Sequence, residues 1–361
     1  MLALSLPART GTRVSHSETV LQNRGYPATL DRVQMHAGNG APLVEPLSAE
    51  QIEGMPLYDW EIARIGDMAP PLTVKVTEGT IANYCAAVRN DNPLYLDPDV
   101  ARRGPFGGII APPTFVFMCA PQRRNEVMHA CGYASPEEKA DRATPYAKSE
   151  VFFHRPIRPG DEITSVVRLG DKYERRGNQF ITWRVNAHDA RGEPVVEYAY
   201  TIIWRQAPRG QNGTSPPRPA PADSAAPLAG ATALPPLTKI ESQEAIDQYA
   251  ELTRVRVRTN HHSLHSDPEF ARRTIFGGTV NMGVATAAYC SEVIERAHGP
   301  GALLQPGAKI EYKGIRPIRA GYKITVSGYE AASEPGRREC QLAVHNQEGT
   351  LCGVATATLV N

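Results

Sequence analysis

Apolar and polar positions alternate in two widely separated stretches of the chain. "EITSVVRLG" and "FITWRVNAHDARGEPVVEYAYTIIW" make the first; "KITVSGYE" and "CQLAVHNQEGTLCGVATATLV" make the second. A period of two sends alternate side chains to one face of a strand. Both stretches therefore predict antiparallel strands, with hairpins at "ARGEP" and "NQEGT". A helical pattern precedes each set, with Thr77 and Ser242 placed as N-caps. A second helix follows Gly-Gly, as in "VNMGVATAAYCSEVIERA" (Val280 to Ala297), rich in small apolar residues. A helix apolar on several sides can be buried on several sides. A sheet wrapped around such a helix accounts for each set, an α+β arrangement. Trp183 and Trp204 on strand patterns, and Tyr84 and Tyr249 on helical ones, are expected in the core.

The two sets match in order. "PPLTVKVTEGTIANYCAAV" from Pro70 matches "PPLTKIESQEAIDQYAEL" from Pro235, an offset of 165 that also relates Tyr84 to Tyr249. "NDNPLYLDPDVARRGPFGG" from Asn90 matches "NHHSLHSDPEFARRTIFGG" from Asn260, an offset of 170. "HRPIRPGDEIT" from His154 matches "IRPIRAGYKIT" from Ile315, an offset of 161. Ordered matches of this kind indicate an internal duplication. Between the copies, "APRGQNGTSPPRPAPADSAAPLAGATAL" is rich in proline and small residues, cannot build a core and reads as a linker. The expected organisation is an arm over 1–55, a first domain over 56–206, a linker over 207–235 and a second domain over 236–361.

Composition narrows the function classes. The 361 residues carry a formal net charge of +1, which gives no general attraction to nucleic acid or anionic membranes. Six scattered cysteines form no CxxC pair and read as reduced thiols. No apolar run approaches the ~20 residues of a membrane span, and "MLALSLPARTG" lacks the basic lead of a signal peptide. A cytoplasmic protein is expected.

The densest chemistry lies in "RTNHHSLHSDPEFARRTIFGGTV", where His261, His262 and His265 crowd five positions. His261 and His265, four apart, would suit a metal on one helical face. Asn260 and Ser263 instead make the run a loop, and no Cys or Glu stands at ligand spacing beside it, so no metal is expected. Asp97 and Asp267 precede short helical turns and read as N-caps.

Together, the Asn260 loop, the Gly-Gly and the "RPIRPGD" strand resemble the MaoC-like, or enoyl-CoA hydratase 2, group, whose loop reads roughly "GDxNPxHxDPxxA…FGGxxxxG". The first half resembles the N-terminal MaoC-like dehydratase domain through "AAVRNDNPLYLDPDVARRGPFGGIIAPPTF" and "FFHRPIRPGDEIT". The resemblance implies two fused hotdog domains imitating a hotdog dimer. It also implies an acyl thioester substrate, usually acyl-CoA, and addition or removal of water with no cofactor beyond the CoA of the substrate. If the family stereochemistry holds, the hydroxy product is the R isomer.

Adding water to an enoyl thioester needs a base for water, an acid for the α-carbon and donors for the developing oxyanion. In the family, a loop Asp and His handle the protons and a Gly N–H at a helix start polarises the carbonyl. Carried over, these roles meet Asn90, Tyr95 and Pro113 in the first half, where all three are impaired: the amide and the phenol replace the Asp and the His, and proline has no N–H. In the second half they meet Asn260, His265 and Gly283. An amide cannot take a proton, but can orient a water. The expected catalytic set is thus His265 as acid–base, Asn260 on the water and Gly283 on the oxyanion, with the first half completing the pseudo-dimer and shaping the acyl tunnel. His262 could assist, and Arg272 and Arg273 could meet the CoA phosphates. The same residues leave open an acyl-thioester binder without turnover, thioester hydrolysis, or an unusual elimination. A homodimer is compatible with the family.

Overall fold

The computed structural model describes Met35 and His36, then residues 47–140, 142–207, 230–253 and 263–360. Asn260, His261 and His262 lie outside the described residues, as does most of the linker. Eleven strands form one sheet: β1 Met35–His36, β2 Leu72–Lys75, β3 Tyr146–Phe153, β4 Glu162–Arg175, β5 Asn178–His188, β6 Pro194–Arg205, β7 Thr232–Ile240, β8 Lys309–Gly314, β9 Lys323–Glu334, β10 Arg337–His345 and β11 Leu351–Val360. Their order is β1-β2-β4-β5-β6-β3-β8-β11-β10-β9-β7, and every neighbouring pair is antiparallel. The helices are α1 Ala49–Gly54, α2 Glu78–Val88, α3 Pro93–Leu96, α4 Pro98–Arg103, α5 Val116–Cys119, α6 Arg124–Ala130, α7 Pro136–Lys139, α8 Gln243–Leu252, α9 Pro268–Arg273 and α10 Gly283–His298.

Local chemistry sets the element ends. Thr77 Oγ1 accepts from Thr80 N at the start of α2, and Ser242 Oγ accepts from Ala245 N at the start of α8. Asp97 and Asp267 cap α4 and α9 in the same way. Two hairpins use one device: Asp189 Oδ1 accepts from Arg191 N and Glu193 N between β5 and β6, and Asn346 Oδ1 accepts from Glu348 N and Thr350 N between β10 and β11. Trp183, Trp204, Tyr84 and Tyr249 are all at most 1% exposed.

The duplication appears as a pseudo-twofold axis. Strands β3 and β8 pair at the middle of the sheet with Glu150 directly opposite Glu311, residues related by the same offset of 161 as His154 and Ile315. Tyr84 and Tyr249, matched at an offset of 165, also touch, with ring centroids 6.0 Å apart. Equivalent residues meet each other only on a twofold axis, so these two contacts mark its course. Like charges directly opposite would repel. Here Lys148 lies 3.3 Å and Lys313 2.5 Å from the Glu311 carboxylate, and Lys309 lies 3.9 Å from that of Glu150.

The two halves differ at their centres. In the second, α10 runs sixteen residues, and every residue from Val284 to Glu295 is buried, as its small side chains allow. In the first, the matching helix is cut to a 3-10 turn, Pro113–Phe115, followed by α5, and it ends before Pro121. The helix expected after Gly-Gly is therefore short in the first half, where prolines at both ends confine it. Two boundaries also move. β7 starts at Thr232, inside the expected linker, because its Leu234 and Leu237 are buried. The expected N-terminal arm contains β1 and the helix α1, which carries a Ser48–Gln51 capping box.

Candidate active site

His265 sits in the turn before α9, half-buried, and three contacts fix it. Its backbone N–H donates to Ser263 Oγ at 3.1 Å. Its carbonyl accepts from Gln243 Nε2 at 2.8 Å, and Gln243 Oε1 accepts in turn from Thr279 Oγ1. Its Nδ1 lies 2.7 Å from the carbonyl oxygen of Val280. A carbonyl can only accept, so Nδ1 carries the proton and the basic nitrogen of the neutral ring is Nε2.

The same turn leads into α10. Val280 N donates to Leu264 O at 3.2 Å, and Gly283, the first residue of the helix, follows three residues later. Three residues span at most ~10 Å, so the carbonyl that holds the ring lies within that reach of the helix start. The N-cap, Met282, offers no side-chain acceptor, and among the described residues nothing accepts from the N–H groups of Gly283 or Val284. Free N–H groups at the positive end of a sixteen-residue helix are a ready oxyanion site.

Both residues line one cavity of about 1570 Å³ whose walls come from both halves. Tyr146 of β3 crosses from the first half and lies on Gly283, where a Cβ would run into its ring. Its hydroxyl donates to Tyr312 O at 3.0 Å and shares a 2.8 Å hydrogen bond with Ser149 Oγ, while its ring packs on Tyr200 and Tyr312. Burial pushes this phenol well above its ordinary range.

The first-half counterparts are put to other uses. Asn90 is buried, and its Oδ1 accepts from Asn92 N. The Tyr95 hydroxyl donates to the carboxylate of Glu295 on α10. Pro113 is the first residue of the 3-10 turn. None of the three lines the cavity.

Of the other candidates, Asn260 and His262 lie outside the described residues. Arg272 and Arg273 are exposed on α9, with Arg272 Nε on Pro268 O and Arg273 3.9 Å from Glu269, and neither lines the cavity. Arg316 does line it. It is exposed and donates to Leu351 O at 2.9 Å.

Sequence reasoning also missed the partner of the Gly-Gly loop. Arg319 donates to the carbonyl of Phe276, and Arg158 donates to the carbonyl of Phe106 at 2.9 Å. The second arginine of "RPIR" thus holds the "FGG" loop in each half, so the two distant motifs are one structural unit. At Gly278, φ is +158°, and a Cβ would come within 2.9 Å of Arg319 Nη1.

The comparisons agree with this architecture. Residues 63–198 match the family model described as the FAS1-like, dehydratase domain region. A UPF0336 protein of Saccharopolyspora erythraea is 28% identical over 162 residues, covering 44% of this chain and 99% of that protein. A solved structure titled MaoC-like dehydratase superposes with a TM-score of 0.65 at 18% identity, covering 82% of this chain and 98% of that one. A Mycobacterium tuberculosis protein described as having a double hotdog fold superposes with a TM-score of 0.52 at 16% identity, covering 82% and 96%. The fold is a double hotdog. Among the described residues no helix is long and apolar enough to cross a membrane.

Proposed function

We propose that the chain, which shares the double-hotdog fold and matches the FAS1-like dehydratase region over residues 63–198, is a hydro-lyase interconverting a 2-enoyl thioester and a 3-hydroxyacyl thioester. Acyl-CoA is the proposed substrate. One observation carries this reading: His265, with its tautomer set by Val280 O, shares a cavity with the uncapped start of α10 at Gly283.

In the hydration direction, His265 Nε2 takes a proton from water as the water oxygen bonds to the β-carbon. The double-bond electrons move to the α-carbon and the thioester oxygen, where the Gly283 N–H stabilises the developing charge. The imidazolium then gives its proton to the α-carbon, completing the addition of one water. Asn260 is proposed to orient that water, with His262 beside it. The first half supplies Tyr146 and the far wall, and has no catalytic set of its own. For the CoA phosphates Arg316 is better placed than Arg272 and Arg273, because it lines the cavity and they do not.

The test is turnover of trans-2-enoyl-CoA, followed by loss of the conjugated thioester absorbance, with chiral analysis of the product. His265→Ala is expected to lower kcat by about 10²–10⁴ while leaving binding of a saturated acyl-CoA unchanged. No turnover of any enoyl-CoA by the parent protein would leave an acyl-thioester binder. Free CoA without a hydroxyacyl product would mark thioester hydrolysis.

A further inference from the structure

Asn281 stands between the two parts of the site. It follows Val280, whose carbonyl holds the His265 ring, and precedes Met282 and the free start of α10 at Gly283. Its backbone N–H donates to Ile318 O at 2.9 Å. It is half-buried and lines the cavity.

Its side chain is held one way round. Asn281 Nδ2 lies 3.2 Å from Glu241 Oε2 and 2.9 Å from Thr286 Oγ1. A carboxylate accepts, so the end of the amide that faces Glu241 is its NH2, and both N–H groups are engaged. Glu241 is only 2% exposed and has further partners. Tyr289 donates to its Oε2 at 3.0 Å, and Arg89 of the first half lies 3.4 Å from its Oε1. Turning the Asn281 amide over would set its oxygen against the carboxylate. Oδ1 is therefore the end left for the cavity. It takes no hydrogen bond from the described residues, yet it is not sealed from solvent.

The fold does not require this arrangement. At the offset of 165 the counterpart of Glu241 is Val76, and at the offset of 170 that of Asn281 is Ala111. The backbone bonds are the same in both halves. Val76 N donates to Asp161 O and Glu241 N to Tyr322 O, each at 2.8 Å, and Ala111 N donates to Ile157 O at 2.8 Å as Asn281 N does to Ile318 O. Thr286 and Tyr289 likewise stand where the first half has buried Val116 and Cys119. An apolar set thus builds the same turn without the cost of burying a carboxylate. The polar set occurs in the half that carries His265 and Gly283.

We infer that Asn281 is a further catalytic residue, whose Oδ1 accepts a hydrogen bond from the water that adds to the β-carbon and then from the 3-hydroxyl it becomes, and that Glu241 is the positioning residue that keeps this oxygen toward the cavity. This rests on the hydration reading above. The water gives one proton to His265 Nε2 as its oxygen bonds to the β-carbon. Its second hydrogen stays on that oxygen and needs an acceptor, which Asn281 supplies without taking the proton. Asn260 is left to meet the same water through its NH2.

The His265→Ala chain, with turnover suppressed, tests the contact by binding alone. Calorimetry should show one enantiomer of 3-hydroxydecanoyl-CoA binding it about fivefold tighter than decanoyl-CoA. Adding Asn281→Ala should remove that preference and leave decanoyl-CoA binding as it was. With His265 intact, Asn281→Ala should lower kcat for trans-2-decenoyl-CoA about tenfold or more and keep KM within about twofold, because the enoyl group carries no hydroxyl to bind. Glu241→Val, which copies the first half, should weaken the hydroxyl preference although it touches no ligand. Glu241→Gln keeps an acceptor toward Asn281 and should retain it. Equal effects of these two variants, or the reverse order, overturn the role of Glu241. A hydroxyl preference that is absent at the outset, or that survives Asn281→Ala, overturns the role of Asn281, as does an equal fall in decanoyl-CoA affinity. Failure of decanoyl-CoA to bind the parent chain would instead remove the thioester reading, and this inference with it.

Discussion

At Gly283 one missing side chain serves two purposes. It starts α10 without a cap, and it lets the Tyr146 ring from the other half lie on the helix N-terminus. A Cβ there would meet ring carbons on a side chain held at its hydroxyl by two partners, so the ring cannot easily swing away. Gly283→Ala is therefore expected to cost about 1–3 kcal/mol by overpacking and to lower kcat/KM for an enoyl-CoA. Tyr146→Leu in the same chain should return part of the stability, so thermal unfolding of the two single variants and the double variant should be non-additive. Additive effects would separate the two residues. The glycine was legible in the sequence, because "GGTVNMG" matches a family position. Tyr146 was not, since no period or motif ties residue 146 to residue 283; only the β3–β8 pairing brings them together. The arginine of "RPIR" was visible as a motif, but its target, the Phe276 carbonyl, is a backbone atom, and backbone atoms leave no mark in a sequence.

At the scale of elements, α10 holds the two halves in register through charge as well as packing. Glu292 is 2.5 Å from Lys239, whose ammonium also donates to the carbonyls of Val88 and Arg89 at the end of α2. Glu295, one turn on, has the Tyr95 hydroxyl and a backbone N–H from Gly301 as partners, and no cation pairs with it among the described residues. Burial pushes this carboxyl up to about 8; the two hydrogen bonds offset only part of the effect. In the unfolded chain a glutamate titrates near ~4.3. Between those values the native state holds a proton that the unfolded state has lost. The stability Glu295 contributes is therefore complete below ~pH 4.3 and falls as pH rises toward 8, by at most about 1.4 kcal/mol per pH unit. Glu295→Gln keeps an acceptor for Tyr95 and removes the titration. Urea unfolding at pH 5.5 and 8.5 should show the variant gaining on the parent at the higher pH; an unchanged difference would place the Glu295 charge in solvent. The α10 pattern itself was readable from its small apolar residues. The truncated first-half helix could have been read from Pro112, Pro113 and Pro121, but its consequence could not: whether a shortened helix leaves a space or a filled core depends on side chains from α6 and β6.

For the whole molecule, the pseudo-twofold axis explains why two unequal copies share one chain. The fold was largely legible because each half repeats its caps, hairpins and motif order, and a repeat is visible without coordinates. What a repeat cannot show is how the halves divide the labour around the axis. The second half brings His265 and the α10 start, and the first brings Tyr146 and the far wall of the cavity. Separating them should therefore abolish the activity proposed for the site, even if each part keeps its strands. Residues 230–361 alone would expose the β8 edge that β3 covers, and an open edge pairs with whatever edge it meets. The available edge is another β8, related to β3 by the duplication, so this half should run as a dimer or larger species in light scattering. It should be inactive toward enoyl-CoA, because no second β8 carries a tyrosine where Tyr146 stands. Adding residues 47–207 in trans should restore both a one-to-one species and turnover, with the mixed complex favoured over the β8 pair because only it buries Tyr146 against Gly283. A monomeric second half with undiminished turnover would show that the cavity closes without its partner, and that the first half serves some other purpose.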